Sequence, residues 1–165
     1  MKKPDLLDEF YYEGDRISVK WYDVRNKSEI PDLEWKQIYV IGNYNNKVPI
    51  VIYENKGNNL PGGHVEVGES LESAMHREIQ EELNMRIVSW APLGYQRLSR
   101  PGDKDLVFQF RVYAKLEKIS DFISDPDGSV IGHKLVELDD VNKFINYGNV
   151  GVRLIINCKQ FFNQP

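Results

Sequence analysis

Cysteine, histidine, positive charge and long apolar runs are all scarce in this sequence. Cys158 is the only cysteine among 165 residues, so no internal disulfide can form and a cysteine-built zinc site is excluded. It lies in the apolar helical pattern VRLIINCKQFF and reads as buried filler rather than a nucleophile. The three histidines, His64, His76 and His133, share no metal-ligand spacing, and surface or packing roles are expected of them. No apolar run approaches the roughly 18 to 20 residues of a membrane span. The opening MKKPDLLDEF sets Pro4, Asp5, Asp8 and Glu9 where a signal peptide needs an apolar stretch, so no membrane association and a cytoplasmic location are expected. With 21 Lys and Arg against 25 Asp and Glu, the net charge is -4, which argues against a nucleic-acid polymer as partner. A small anionic substrate is compatible with that balance, because bound divalent cations reverse the local sign.

What is present is the composition of a packed protein: 41% hydrophobic, 28% charged and 12% aromatic residues. The length fits one domain spanning 1–165. DRISVKWYDV (15–24) alternates as a strand, so residues 1–35 read as an N-terminal β extension. KQIYVIGNY and KVPIVIYEN flank Asn45 and Asn46 and predict an antiparallel hairpin across a tight turn. RIVSWAPLGYQRLS (86–99) and DLVFQFRVYAKLE (105–117) predict a second hairpin around Pro101 and Gly102. DFISDPDGSVIG reads as a polar loop, HKLVEL as a short strand, Asp139 or Asp140 as the cap of a short helix through VNKFIN, and 150–163 as a last helix. Strands and helices in this order predict an α/β fold with helices on the faces of a mixed β-sheet.

Charge is concentrated in GGHVEVGESLESAMHREIQEELNM, residues 62–85. On a helix from Leu71 to Leu83 stepped at 100° per residue, Ala74, Met75, Ile79 and Leu83 span an apolar sector from about -60° to about 120°. Glu78 and Glu82 fall inside that sector, near -20° and 20°, and Glu81 falls at its edge, near -80°. Unpaired carboxylates on a face turned to the core cost several kcal/mol, roughly, or take up protons. Glu78, Glu81 and Glu82 stand at i, i+3 and i+4, so they meet on one patch and call for a cation between them. Oxygen donors without cysteine or paired histidine suit Mg²⁺ or Mn²⁺ better than Zn²⁺. Gly62, Gly63 and Gly68 let the preceding loop turn sharply and approach closely. Ser70 is placed to cap the helix, and Arg77 to reach back to Glu69, another loop carboxylate, or Glu81.

These residues resemble the Nudix box, G-x5-E-x7-R-E-U-x-E-E-x-G-U with U aliphatic, running from Gly63 to Met85. Gly63, Glu69, Arg77, Glu78, Ile79, Glu81, Glu82 and Met85 occupy defining positions, and only the second glycine departs, as Asn84. Asparagine tolerates the left-handed backbone of a helix end, so the geometry is expected to survive. The resemblance implies an α/β/α sandwich around a mixed sheet and a pyrophosphohydrolase that cuts a phosphoanhydride bond in a small nucleotide-type substrate. It further implies that Glu78, Glu81 and Glu82, with the Gly62 or Gly63 carbonyl, hold the metal. Glu81 or Glu82 would then orient or deprotonate the attacking water, and Glu69 would serve as ligand, base or partner of Arg77. Some relatives of this family are regulators that bind nucleotide-like ligands, so a silent sensor is the alternative to an enzyme.

Outside the box the signals are weaker. Arg97, Arg100 and Lys104 surround the second hairpin and are candidates to bind a distal phosphate. Asp125 and Asp127 offer an extra base or ligand, although Asp-Pro-Asp-Gly is also an ordinary turn. Tyr11, Tyr12, Trp21, Tyr22 and Trp35 would stack on a base, pack in the core or form a subunit interface, and an N-terminal strand adding to a partner's sheet would make a homodimer.

Overall fold

The computed structural model describes residues 2–102, 107–126 and 128–164, so the expectations for Lys104 and Asp127 lie outside the described residues. Nine strands and three α-helices occupy the described residues: β1 (Leu6–Tyr12), β2 (Asp15–Asp23), β3 (Trp35–Asn43), β4 (Val48–Tyr53), β5 (Gly57–Asn59), β6 (Gly62–His64), α1 (Leu71–Leu83), β7 (Met85–Ser99), β8 (Val107–Lys118), β9 (Val130–Val136), α2 (Val141–Ile145) and α3 (Gly148–Phe162). A six-stranded sheet runs β1-β2-β7-β8-β3-β6, and a three-stranded sheet runs β5-β4-β9. The large sheet is mixed, because β3 and β8 pair in parallel while the other neighbours are antiparallel.

Alternation along the strands sends side chains to two separate cores. Ile38, Val40, Phe110 and Val112 face Ala74, Met75, Ile79 and Leu83 of α1. On the other face Trp21, Ile41 and Tyr113 pack with Leu154, Ile155 and Cys158 of α3. This is the α/β/α sandwich, with the mixed sheet as its middle layer. Trp21 and Tyr22 are core residues, whereas Tyr11 and Tyr12 are exposed on the edge strand β1. Cys158 is fully buried, as an apolar filler should be.

The first hairpin departs from the sequence expectation. Asn45 and Asn46 have φ of 51° and 60°, the left-handed pair that a tight turn needs, yet pairing stops after the single Tyr44–Lys47 bridge. Beyond it β3 and β4 enter different sheets. The reason is burial on two sides: Val48 and Ile50 join the α3-side core while Val51 joins the α1-side core, so β4 bridges the layers instead of extending β3. The second hairpin forms as expected, with β7 and β8 antiparallel and register shifts between Ile87 and Ser89 and between Pro92 and Gly94. The strand expected over HKLVEL starts earlier, at Val130.

Asp140 sits at the N-cap position of α2 without making a side-chain cap bond. It is the last residue of a 3₁₀ turn, and its Oδ1 accepts from Lys143 Nζ at 2.6 Å, so a local ion pair replaces the cap. The N-terminal strands are tied to the far helix: Asp8 Oδ2 accepts from Asn149 N at 3.0 Å, and Asp23 receives Trp21 Nε1, Arg153 and Asn157 Nδ2. No helix among the described residues is long and apolar enough to cross a membrane.

Candidate active site

Helix α1 presents its acids to β6 because of how it begins and ends. Ser70 Oγ accepts from Ser73 N at 3.0 Å and starts the helix. Asn84 closes it in the left-handed conformation, φ 52° and ψ 42°, with its N–H on Gln80 O. The side chain at this departure from the box makes its own contribution, since Asn84 Nδ2 donates to Ser120 Oγ and to Asp121 O. A glycine could not tether the 119–121 segment in this way.

Gly62 and Gly63 bring the backbone of β6 against that helix. At Gly62, φ is 143° and an added Cβ would lie 2.2 Å from Ile38 O; at Gly63 it would lie 2.5 Å from Glu78 Oε1. At Gly62 a side chain would meet backbone, and at Gly63 it would displace the Glu78 carboxylate, so glycine at both lets the carboxylates reach this strand. Glu82 Oε1 accepts from Gly62 N at 3.2 Å. Its other oxygen, Oε2, is buried with no hydrogen-bond partner. Burial, and then the Glu78 and Asp125 charges, push Glu82 well above the ordinary carboxylate range.

Arg77 organises the other acids. Its Nε and Nη2 form a two-point fork on Glu69, at 2.9 and 3.0 Å, and Nη2 also donates to His64 O at 2.9 Å. Nη1 reaches Glu78 Oε1 at 3.0 Å and Glu81 Oε2 at 3.4 Å. The hydrogen bond from Arg77 holds Glu69 below its usual range. Although its helical angle points towards solvent, the Gly62–Glu69 loop folds over Arg77 and leaves it only a quarter exposed. Glu78 and Glu82 lie together against β6, while Glu81 turns to a cleft of about 510 Å³ lined by Arg77, Gln80, Asn84, Ile123, Ser124 and Pro126. Among the described residues no three acids or histidines stand in a ready metal-ligand set, because Arg77 shares itself between Glu69, Glu78 and Glu81. Oxygen-only donors, a buried and orphaned carboxylate oxygen, and a glycine strand that a Cβ would block together fit a hard divalent ion.

Asp125 is more than a turn residue. It is buried, it holds Ser129 Oγ and Val130 N at 3.1 Å each, and its charge acts on Glu82. Burial could not be read from Asp-Pro-Asp-Gly, since it follows from the loop folding back beside α1. Arg97 is half-buried on β7, and Arg100 pairs with Asp15 and Glu13 at the β1–β2 turn. His64 and His76 are exposed, and His133 packs edge-on against Phe122.

A glycine strand facing a helix of acids braced by one arginine is the arrangement of the Nudix fold, and the profile of the NUDIX domain matches residues 38–153. The chain belongs to the Nudix family and is a pyrophosphohydrolase, cutting phosphoanhydride bonds in substrates of the nucleoside diphosphate-X type. It is similar to YtkD of Bacillus subtilis (strain 168), provisionally named an 8-oxo-dGTP diphosphatase, with 32% identity over 116 residues, 68% of this chain and 71% of YtkD. The fold matches the Bacillus subtilis pyrophosphohydrolase BsRppH at a TM-score of 0.64 and 23% identity, over 93% of this chain and 97% of that one. It also matches the MutT protein of Bacillus halodurans, at 0.59 and 18% identity over 78% and 82%. The family is generally divalent-metal dependent, and hydrolysis displaces the silent-sensor alternative.

Proposed function

We propose that the chain hydrolyses oxidised purine nucleoside triphosphates of the 8-oxo-dGTP kind, with Mg²⁺ or Mn²⁺ held by Glu78, Glu81, Glu82 and the Gly63 carbonyl. The observation that carries the site assignment is Glu82: a carboxylate placed against Gly62 N with its second oxygen buried and unpartnered. The similarity to YtkD supports the substrate. A divalent ion bound there would neutralise phosphate oxygens and acidify a water. Arg77 holds the Gly62–Glu69 loop in place by its fork on Glu69 and its bond to His64 O. Glu81, open to the cleft, is positioned to take a proton from water as that water attacks phosphorus; the bond from phosphorus to the bridging oxygen breaks and pyrophosphate leaves. Asp125 adds negative charge beside Glu82 from the 121–129 loop. Arg97 and Arg100 remain candidates to contact a distal phosphate, with Arg100 also held by Asp15 and Glu13.

The test is pyrophosphate release from 8-oxo-dGTP, dGTP and a panel of diphosphate compounds with Mg²⁺ or Mn²⁺. Glu81→Gln and Glu82→Gln should each lose about a hundredfold or more in kcat. Glu72→Gln should retain turnover, because Glu72 faces Trp90 Nε1 and His76 away from the site. Wild-type rates in both box variants would remove these residues from the chemistry, and a better substrate than 8-oxo-dGTP would replace it.

A further inference from the structure

On the face of the large sheet opposite α1, three glutamines form a row across adjacent strands. Gln96 on β7 is opposite Gln109 on β8, Gln109 is opposite Gln37 on β3, and Gln37 is opposite His64 on β6. Gln96 Nε2 donates to Gln109 Oε1 at 2.6 Å, and Gln109 Nε2 donates to Gln37 Oε1. Gln37 and Gln109 are only half-buried although β3 and β8 are inner strands, so the helical layer leaves this part of the sheet face open.

The polarity of this row is not arbitrary. Arg111 Nη2 also donates to Gln109 Oε1, at 3.0 Å. A guanidinium can only donate, so the Gln109 atom it touches must be the oxygen, and the Gln109 amide nitrogen must point towards Gln37. Gln37 then accepts through its oxygen and presents its NH₂ group at the end of the row beside His64, where the catalytic loop begins. Among the described residues nothing accepts from that NH₂ group. Arg111 itself is 2% exposed, stacked over Tyr39 at 4.5 Å and near Tyr147 at 5.4 Å. It has no carboxylate partner among the described residues. Burying an arginine without a counter-ion is costly, and an apolar residue would pack there more cheaply. What Arg111 supplies is a fixed direction for the amide row.

We propose that Gln37 is a specificity-determining residue, donating its fixed NH₂ group to a ring carbonyl of the substrate's base and so selecting keto over amino bases. The inference rests on the nucleotide reading above and deepens it. Gln37 pairs directly with His64 of β6, about 5 Å between Cα atoms, and Glu78 and Glu82 lie beside Gly63 and Gly62 of the same strand, so phosphates held there would lead the base onto this face. A carbonyl accepts from an amide NH₂, whereas an exocyclic amino group meets donor against donor, and a site built to pair one group rejects the other. An 8-oxoguanine base, with two ring carbonyls, meets the requirement.

Inosine and adenosine triphosphates test the effect, because they share sugar, phosphates and purine ring and differ only at the C6 keto or amino group and the N1 proton that goes with it. The ratio of their kcat/KM values is independent of the active fraction of each preparation. Wild-type protein should favour the keto base about tenfold or more. Gln37→Glu, which places an acceptor where the NH₂ group stood, should invert the preference, and Gln37→Leu should bring the ratio close to one. A purely structural role would lower both rates together and leave the ratio unchanged. Equal wild-type efficiency on the two nucleotides, or a ratio unmoved in both variants, would overturn the assignment of Gln37 while leaving the hydrolase intact. No turnover of any nucleoside triphosphate would instead remove the nucleotide reading on which it depends.

Discussion

Substituting Glu82 by glutamine should destroy turnover and at the same time stabilise the metal-free protein. In the wild type, Glu82 is 4% exposed, one of its oxygens has no partner, and the Glu78 carboxylate adjoins it. Glutamine keeps the shape, keeps an acceptor for Gly62 N and supplies an NH₂ group that can donate to Glu78. At neutral pH the metal-free fold keeps this carboxyl protonated, its pKa pushed up to about 9; removing the cost of holding that proton is worth about 2 kcal/mol, and for a protein of this size 1 kcal/mol moves Tm by roughly 2 to 4 °C. Thermal unfolding in chelator at neutral pH should therefore place Glu82→Gln about 4 to 8 °C above wild type.

The pH dependence has a definite sign. A carboxyl whose folded pKa is raised is bound more tightly to its proton in the folded state. The wild type therefore loses stability as pH climbs from the ordinary carboxylate range through neutrality, whereas the glutamine variant does not. The Tm gap should close near pH 4 and widen above it. Adding Mn²⁺ should reverse the order, raising Tm of the wild type and leaving that of the variant nearly unmoved. An unchanged or lower Tm for the metal-free variant would refute the claim that Glu82 is held at a cost until a cation arrives.

Asp23→Asn should weaken the clasp between β2 and α3. The Arg153, Trp21 and Asn157 bonds overcome burial to hold Asp23 at about 2, which corresponds to about 2 kcal/mol, measurable by urea unfolding at pH 7 and absent at pH 2. Because the depressed pKa favours the charged form in the folded state, the wild type loses this contribution as pH falls from about 4 to about 2. Gly63→Ala should fold normally but lose about tenfold or more in kcat, since its Cβ would stand 2.5 Å from Glu78 Oε1 and push that carboxylate aside; circular dichroism and steady-state kinetics decide it. Arg77→Lys keeps the charge but cannot make the fork on Glu69; kcat should drop about tenfold, and proteolysis within 64–69 should quicken.

The acid-bearing helix was legible because its evidence is local: apolar positions at helical spacing with glutamates among them, a serine before it and an asparagine after it. The same holds for the turn at Asn45 and Asn46 and for the β7–β8 hairpin. The separation of β3 from β4 was not legible, because Val48, Ile50 and Val51 look like any strand until two cores claim opposite sides of it. Asp140 shows a smaller version of the same limit, since a lysine three residues on took the carboxylate that a cap would have used.

At the site, sequence alone determined which carboxylates are chemically anomalous, because charge on an apolar helical face is costly wherever the helix packs. It also determined that glycines must face them. Only the tertiary structure decided that Arg77 is shared between the loop and the helix, that Asp125 folds in beside Glu82, and that Arg111 lies buried behind a row of glutamines. The Asp125–Glu82 approach and the Gln37–Gln109 step join residues tens of positions apart, and the Arg77 fork depends on how the loop folds back over the helix. They follow from strand order and register, which rest on the summed burial of whole faces and leave no mark on any short stretch of the chain.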